Sequence, residues 1–220
     1  MVRHAIASED KRARRKIILA AAGALFTSGD GSLPSAAQIA SEAGLAKGTV
    51  YLYFQTKEEI FLALLLEGLL TLLNEIEFAF QNASGTRDAK AAAFLTTYVS
   101  YVDRCPELLR LDALCHGVLE KNLDPAKLRE FRLAFVTRLA QTGIVVEHAL
   151  RLSGGHGATL LMRTFALTRG LWQSFQSHEE QTASKTDPTL APLCTNFHKE
   201  LTEALIEYWR GALAIRRSAK

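Results

Sequence analysis

Between Ser35 and Lys57 the chain reads S-A-A-Q-I-A-S-E-A-G-L-A-K-G-T-V-Y-L-Y-F-Q-T-K, a pattern of two short helices joined by a tight turn and delivered into a third. Ser35 can cap the first helix while Gln38, three residues on, reaches back to the cap, and Pro34 discourages an earlier helical start. Ala36, Ile39, Ala40 and Ala43 recur at helical spacing and are mostly small, so a second helix can cross close by at a steep angle. Gly44 stands where the chain must turn sharply, with Leu45 as an apolar plug behind it. From Ala46 to Phe54 a second short helix would turn Val50 and Phe54 inward at i and i+4. It would leave Lys47, Gly48, Thr49, Tyr51, Leu52 and Tyr53 over the rest of its surface. This is a helix-turn-helix, and a tyrosine pair exposed beside a lysine asks for a polar partner.

Charge is distributed unevenly along the chain. Residues 1 to 57 hold eight Lys or Arg against four Asp or Glu, for +4, while residues 58 to 220 hold eighteen against nineteen, for −1. The positive potential therefore sits with the helix-turn-helix, as counterion release from a nucleic acid requires. The residues up to Ser8 lack periodicity and are expected to form a flexible arm. Arg3 and the run K-R-A-R-R-K from Lys11 to Lys16 would then supply nonspecific phosphate attraction, the alternative being a solvated helix start. A first helix from about Glu9 to Thr27 carries Ile17, Ile18, Ala21, Ala22, Ala24 and Leu25 at helical spacing, with Phe26 closing a small core. Gly29-Asp30-Gly31 then breaks it.

The run from Ile39 to Ile60, I-A-x-x-A-G-x-x-K-G-T-x-Y-x-Y-F-x-x-K-E-E-I, resembles the signature of the DNA-binding domain of the TetR family of bacterial transcriptional regulators, over roughly residues 11 to 65. The resemblance implies that the second short helix enters the major groove of double-stranded DNA. It also implies that Thr49, Tyr51, Tyr53 and Lys57 hold phosphates or reach bases, with Lys47 and Gly48 at the front of the helix and Ser35 and Leu52 completing the DNA-binding set. The chain departs from the pattern at Ala46, where the family usually has Ser or Thr; losing such a cap costs about 0.5 to 2 kcal/mol. It departs again at Ala37 and Gln38, where the family favours charge.

Thr56 and Glu59 make a second capping box at the start of a long helix to about Gln81. That helix carries Phe61, Leu64, Leu65, Leu69, Leu72, Ile76 and Phe80 along one side and would connect the DNA unit rigidly to the rest. Lys57 has the wrong sign for a helix N-terminus, which a phosphate docking on the same N–H groups would explain. Five further helices are expected, at about 87 to 105, 107 to 120, 125 to 152, 157 to 179 and 190 to 214, with no strand alternation. The fold class is all-α with about nine helices. It divides into a helix-turn-helix domain over 1–55 and a helical ligand-binding and dimerisation domain over 56–220, the helix 56–81 connecting the two. Apolar residues make up 48% of the chain, enough for a sizeable core. The longest apolar run, Ile60 to Leu73, is broken by Glu67, Gly68 and Thr71, short of the ~20 residues a membrane span needs.

The last two helices are the expected dimer surface, through Phe165, Leu201, Leu205, Tyr208 and Trp209 on stripes that also include Leu160, Leu161, Trp172, Leu193 and Phe197. Membership of such a family implies a small effector. Tyr98, Tyr101, His116, Phe135, Arg169 and Trp172 are the expected lining of a largely apolar pocket. Cys105, Cys115 and Cys194 lack paired metal-ligand spacing, so the expectation is no metal, no cofactor and reduced thiols in a cytoplasmic protein. H-E-x-x-H, G-x-S-x-G and G-x-x-x-x-G-K-[ST] are all absent from the sequence, and no enzyme is expected. Two classes of function follow. The first is a homodimeric, ligand-responsive repressor on a palindromic operator, or an activator of the same build; the second is a helical small-molecule binding or scaffold protein with a vestigial helix-turn-helix.

Overall fold

Apolar residues at helical spacing, separated by glycine, proline and polar breaks, produce helices throughout. The computed structural model describes residues 2–29, 31–115, 117, 120–175, 189 and 196–214. Among these residues there are nine α-helices and no strand: α1 (Val2–Ser28), α2 (Ala36–Glu42), α3 (Lys47–Tyr51), α4 (Lys57–Asn82), α5 (Arg87–Arg104), α6 (Pro106–Leu114), α7 (Pro125–Leu150), α8 (His156–Phe175) and α9 (Phe197–Ala214). None of the described helices is long and apolar enough to cross a membrane.

Two boundaries differ from the sequence reading. α1 begins at Val2, where a flexible arm was expected, because no glycine or proline precedes Glu9 and Ala5, Ala7 and Arg3 favour helix. The helix expected over 107–120 stops at Leu114 and gives way to a wider, π-type turn at Cys115 and Gly117, followed by a 3-10 turn at Glu120–Asn122. The missing side chain at Gly117 removes helical preference there. α8 and α9 are helical where described, while residues 176–179 and 190–195 of the expected helices lie outside the described residues.

The chain packs as two units, Met1–Leu69 with Arg110–Ala134, and Leu70–Leu109 with Phe135–Lys220. In the first, Ile18, Leu19, Ala22 and Phe26 of α1, Ile39 and Ala40 of α2, Val50 of α3 and Ile60 and Phe61 of α4 are all but inaccessible. The Phe26 and Phe61 rings meet at 5.8 Å. Ile17 and Ala24, counted in the apolar stripe from sequence, face outward, and Leu19 takes the inward position. The Arg110 guanidinium lies 5.0 Å from the Phe26 ring and donates to the Gly29 carbonyl at 3.4 Å, a cation beside the carbonyl end of α1.

The second unit is built on an aromatic stack, Phe80 on Phe94 at 5.0 Å and Phe94 on Trp209 at 4.8 Å. Its polar atoms are satisfied by two threonines one turn apart on α8. Trp209 Nε1 donates to Thr164 Oγ1 at 3.0 Å, and the Tyr98 hydroxyl bonds Thr168 Oγ1 at 2.9 Å. Each threonine also donates to the carbonyl four residues back in its own helix, at 2.8 Å. At the α7–α8 crossing Gly143 and Gly157 allow backbones to touch: a methyl on Gly143 would stand 2.5 Å from the Ala158 nitrogen. There the Glu147 carboxylate accepts the Gly157 N–H at 2.9 Å, an anion at the start of α8.

Arg138 of α7 forks onto Glu77 of α4, with Asn74 at 2.7 Å and the buried Thr142 hydroxyl donating to Glu77 at 2.8 Å. The Arg138 hydrogen bond holds the Glu77 carboxyl below its ordinary 4.5, against the opposing effect of burial. A depressed folded-state value contributes stability above the unfolded pKa and loses it as pH falls through the folded one. Wild type should therefore exceed Glu77→Gln in stability by a constant margin above about pH 4.5, a margin that shrinks on further acidification. Urea unfolding at a series of pH values measures it; a margin that grows towards acid would contradict the assignment.

Candidate nucleic-acid interface

α2 begins as its sequence dictates. Ser35 Oγ accepts the Gln38 N–H at 3.3 Å, and Gln38 Oε1 accepts the Ser35 N–H at 2.9 Å, completing the capping box. Gly44 adopts φ of 64°, the left-handed region that a side chain resists, and Leu45 N–H closes the end of α2 on the Ala40 carbonyl at 2.8 Å. α3 then starts from Ala46, which offers no side-chain cap.

Regular helix ends at Tyr51, yet Tyr53 and Phe54 still donate to the Val50 carbonyl at 3.0 Å. That extra turn keeps Phe54 on the same side as Val50, and both are buried. With the inward side fixed, Lys47, Gly48, Tyr51 and Leu52 are exposed and Thr49 and Tyr53 half-buried. Lys47 Nζ lies 5.8 Å from the Tyr51 ring. At the start of α4, Thr56 Oγ1 accepts the Glu59 N–H at 3.2 Å, while the Glu59 carboxylate reaches the Gln55 N–H at 3.0 Å, one residue further back than expected. Lys57 stands half-buried in this first turn.

Arg15 is one of five basic residues in the run Lys11 to Lys16 of α1, all exposed. Folding singles it out: its guanidinium stacks 4.4 Å from the Phe54 ring, at the foot of α3. Its only signal in the sequence is its place in the basic run.

The other expected site residues are dispersed. Tyr98 and Tyr101 are buried, the former bonded to Thr168 and the latter with its proton affinity raised by burial. Phe135, Arg169 and Trp172 are half-buried; Phe135 meets Phe165 edge-on at 5.9 Å, and Trp172 meets Phe197 at 5.1 Å. His116 lies outside the described residues, as do Leu193 and Cys194. Leu201, Leu205 and Trp209, expected at a dimer surface, are at most 1% exposed within a single chain and are core residues of α9. Phe165 and Tyr208 are half-buried beside them. Burial, and next the Glu107 charge, push the Cys105 thiol up, the opposite of an activated thiolate. A cavity of about 890 Å³ opens between α5 and α9, over Leu95, Val99, Ile206 and Trp209, with Arg104 and His198 among its polar lining. Asp103 bonds His198 across it.

The caps make a stability prediction. Ser35→Ala should cost about 1 kcal/mol and Ala46→Ser should add about 0.5 to 1 kcal/mol by supplying the missing cap. Chemical denaturation of both variants measures this, and equal effects of one sign would contradict it.

Comparison with known proteins agrees with this architecture. Residues 18–64 match the model of the tetR family of bacterial regulatory proteins, and residues 66–216 match that of the tetracyclin repressor-like C-terminal domain. No curated protein sequence matches the chain. Among solved structures, a candidate TetR-family regulator from Mesorhizobium loti is similar at a TM-score of 0.62 and 17% identity, over 93% of this chain and 97% of its own. A candidate transcriptional regulator from Pseudomonas aeruginosa is similar at 0.58 and 16%, over 92% and 91%. A protein of unknown function from Rhodococcus sp. RHA1 is similar at 0.56 and 22%, over 90% and 94%. These structural likenesses speak for the fold. With one family model on the helix-turn-helix and another on most of the remaining helices, the chain belongs to the TetR family of bacterial transcriptional regulators.

Proposed function

We propose that the protein is a homodimeric, ligand-responsive repressor that binds a palindromic operator and acts in the cytoplasm, where the chromosome is. The observation that carries this reading is the outward face of α3, which holds Lys47, Gly48, Tyr51 and Leu52 in the open while Val50 and Phe54 occupy the core. On this reading α3 lies in a major groove, Thr49, Tyr51, Tyr53 and Lys57 fix register on phosphates, and Ser35 presents the start of α2 to the backbone. Two copies would read two half-sites.

The effector is a small, largely apolar molecule, and the α5–α9 cavity supports a site for it, with an apolar floor and a few orienting polar groups. Effector binding acts by favouring the state in which the two reading helices no longer match the operator, through α4, which is continuous between residues 1–55 and the dimerising helices of 56–220. The dimer surface is assigned to the outward side of α8, where Met162, Ala166 and Gly170 are exposed one turn apart. Small residues there let a second copy approach closely.

Fluorescence anisotropy on DNA flanking the protein's own coding region, across a salt series, tests the reading. Tight, salt-sensitive binding is expected; weak binding indifferent to salt would contradict it. Lys57→Ala should weaken binding to all sequences alike and lower the salt slope by about 0.9, whereas Tyr51→Phe should weaken it without changing the slope. Dimerisation has its own pair of variants. Ala166→Arg should yield monomers in sedimentation, while Leu205→Ala should instead lower unfolding stability by about 2 to 5 kcal/mol. A dimeric Ala166→Arg protein would move the interface elsewhere.

A further inference from the structure

We infer that Leu52 is the residue through which this protein reads sequence, and that what it reads is the 5-methyl group of thymine. The inference rests on the proposed placement of α3 in the major groove and says which chemistry distinguishes one site from another there.

With Val50 at zero and about 100° per residue, Phe54 falls at about 40° and Leu52 at about 200°, directly opposite the buried pair. Past Tyr51 the backbone bonds from Leu52 and Tyr53 run to the third residue back and that from Phe54 to the fourth, so a turn slightly tighter than α carries the chain to Phe54 and keeps Leu52 away from the buried pair. Gly48 at about 160° and Thr49 at about 260° are the neighbours of Leu52 on the outermost face, with Tyr51 and Tyr53 to the sides and Lys47, exposed at the start of the helix, at about 60°. Gly48 faces open space, and a methyl added there would meet nothing within 4 Å. Leu52 is a ridge beside it, 79% exposed, more than any other large hydrophobic side chain among the described residues.

An isolated surface leucine needs no explanation. Here, however, it faces away from the buried pair on the helix proposed to enter the groove, and apart from Lys47, which could bond a guanine edge, its neighbours have little with which to read bases. Position 48 has no side chain, Thr49 bonds donors and acceptors without strong preference, and Arg, Asn and Gln are absent from residues 46–54. Lysine and tyrosine contacts to phosphate set register and carry no sequence information. The apolar feature that a base pair presents in the major groove is the thymine methyl. An exposed leucine at the tip of the reading helix matches it.

The test uses the full-length protein and a duplex that it selects from a random-sequence pool. Each thymine in one half-site is replaced in turn by deoxyuridine, which removes the methyl and leaves base pairing and hydrogen-bonding groups intact. For wild type, one or two positions should lose about fourfold in affinity, the equivalent of one buried methyl group. Leu52→Ala, whose exposure makes it harmless to folding, should bind the thymine duplex more weakly by a similar factor, keep the wild-type salt slope, and be indifferent to deoxyuridine at those positions. Wild-type binding unaffected by every replacement, or a Leu52→Ala variant as sensitive as wild type, overturns the inference while leaving DNA binding intact. A wild-type protein that enriches no duplex and shows no salt-sensitive binding overturns the proposed function itself, and this inference with it.

Discussion

The burial of Val50 and Phe54 is the interaction on which the DNA-facing surface depends. α3 is five residues long, too short to hold an orientation by its own hydrogen bonds, and it lacks a side-chain cap at Ala46. Its direction comes from two apolar anchors one turn apart, sunk into the core formed with α1, α2 and the first turns of α4. Once those are fixed, every other position on the helix has a determined outlook. The Arg15 guanidinium on the Phe54 ring adds a charge at the rim of the same anchor. Packing and function are thus set by one constraint, since the residues facing outward are selected by those facing in.

The second unit solves a different problem, that of burying Trp209 and Tyr98 without stranding their polar atoms. Thr164 and Thr168 do so from one side of α8, each hydroxyl donating to its own helix and accepting or sharing a bond with an aromatic partner. An unpaired indole N–H or phenol in this position would cost about 1 to 3 kcal/mol. The same arrangement commits one side of α8 and of α9 to the interior of the chain and leaves Met162, Ala166 and Gly170 of α8 exposed.

Much of the helix-turn-helix was legible because its signals are local. Ser35 with Gln38, the sharp turn at Gly44 and the i, i+4 pair of Val50 and Phe54 each depend on residues a few positions away. What needed the structure was long-range. An apolar stripe such as Leu201, Leu205 and Trp209 announces burial but not by which chain, and the first unit of packing to claim it was the protein's own core. Arg15 was one of five similar charges until Phe54 arrived beside it. The effector lining was read from aromatic and polar residues on apolar helices, a composition that serves equally for a satisfied core hydroxyl such as that of Tyr98.

The proposed function requires residues 47–53 to be the surface that meets DNA. Amide hydrogen exchange of the intact protein, free and bound to a duplex it selects, asks this directly. The account predicts slowed exchange concentrated at the start of α2, across 47–53 and at the first turn of α4. Slowing confined to other helices, with residues 47–53 exchanging as in the free protein, would contradict it.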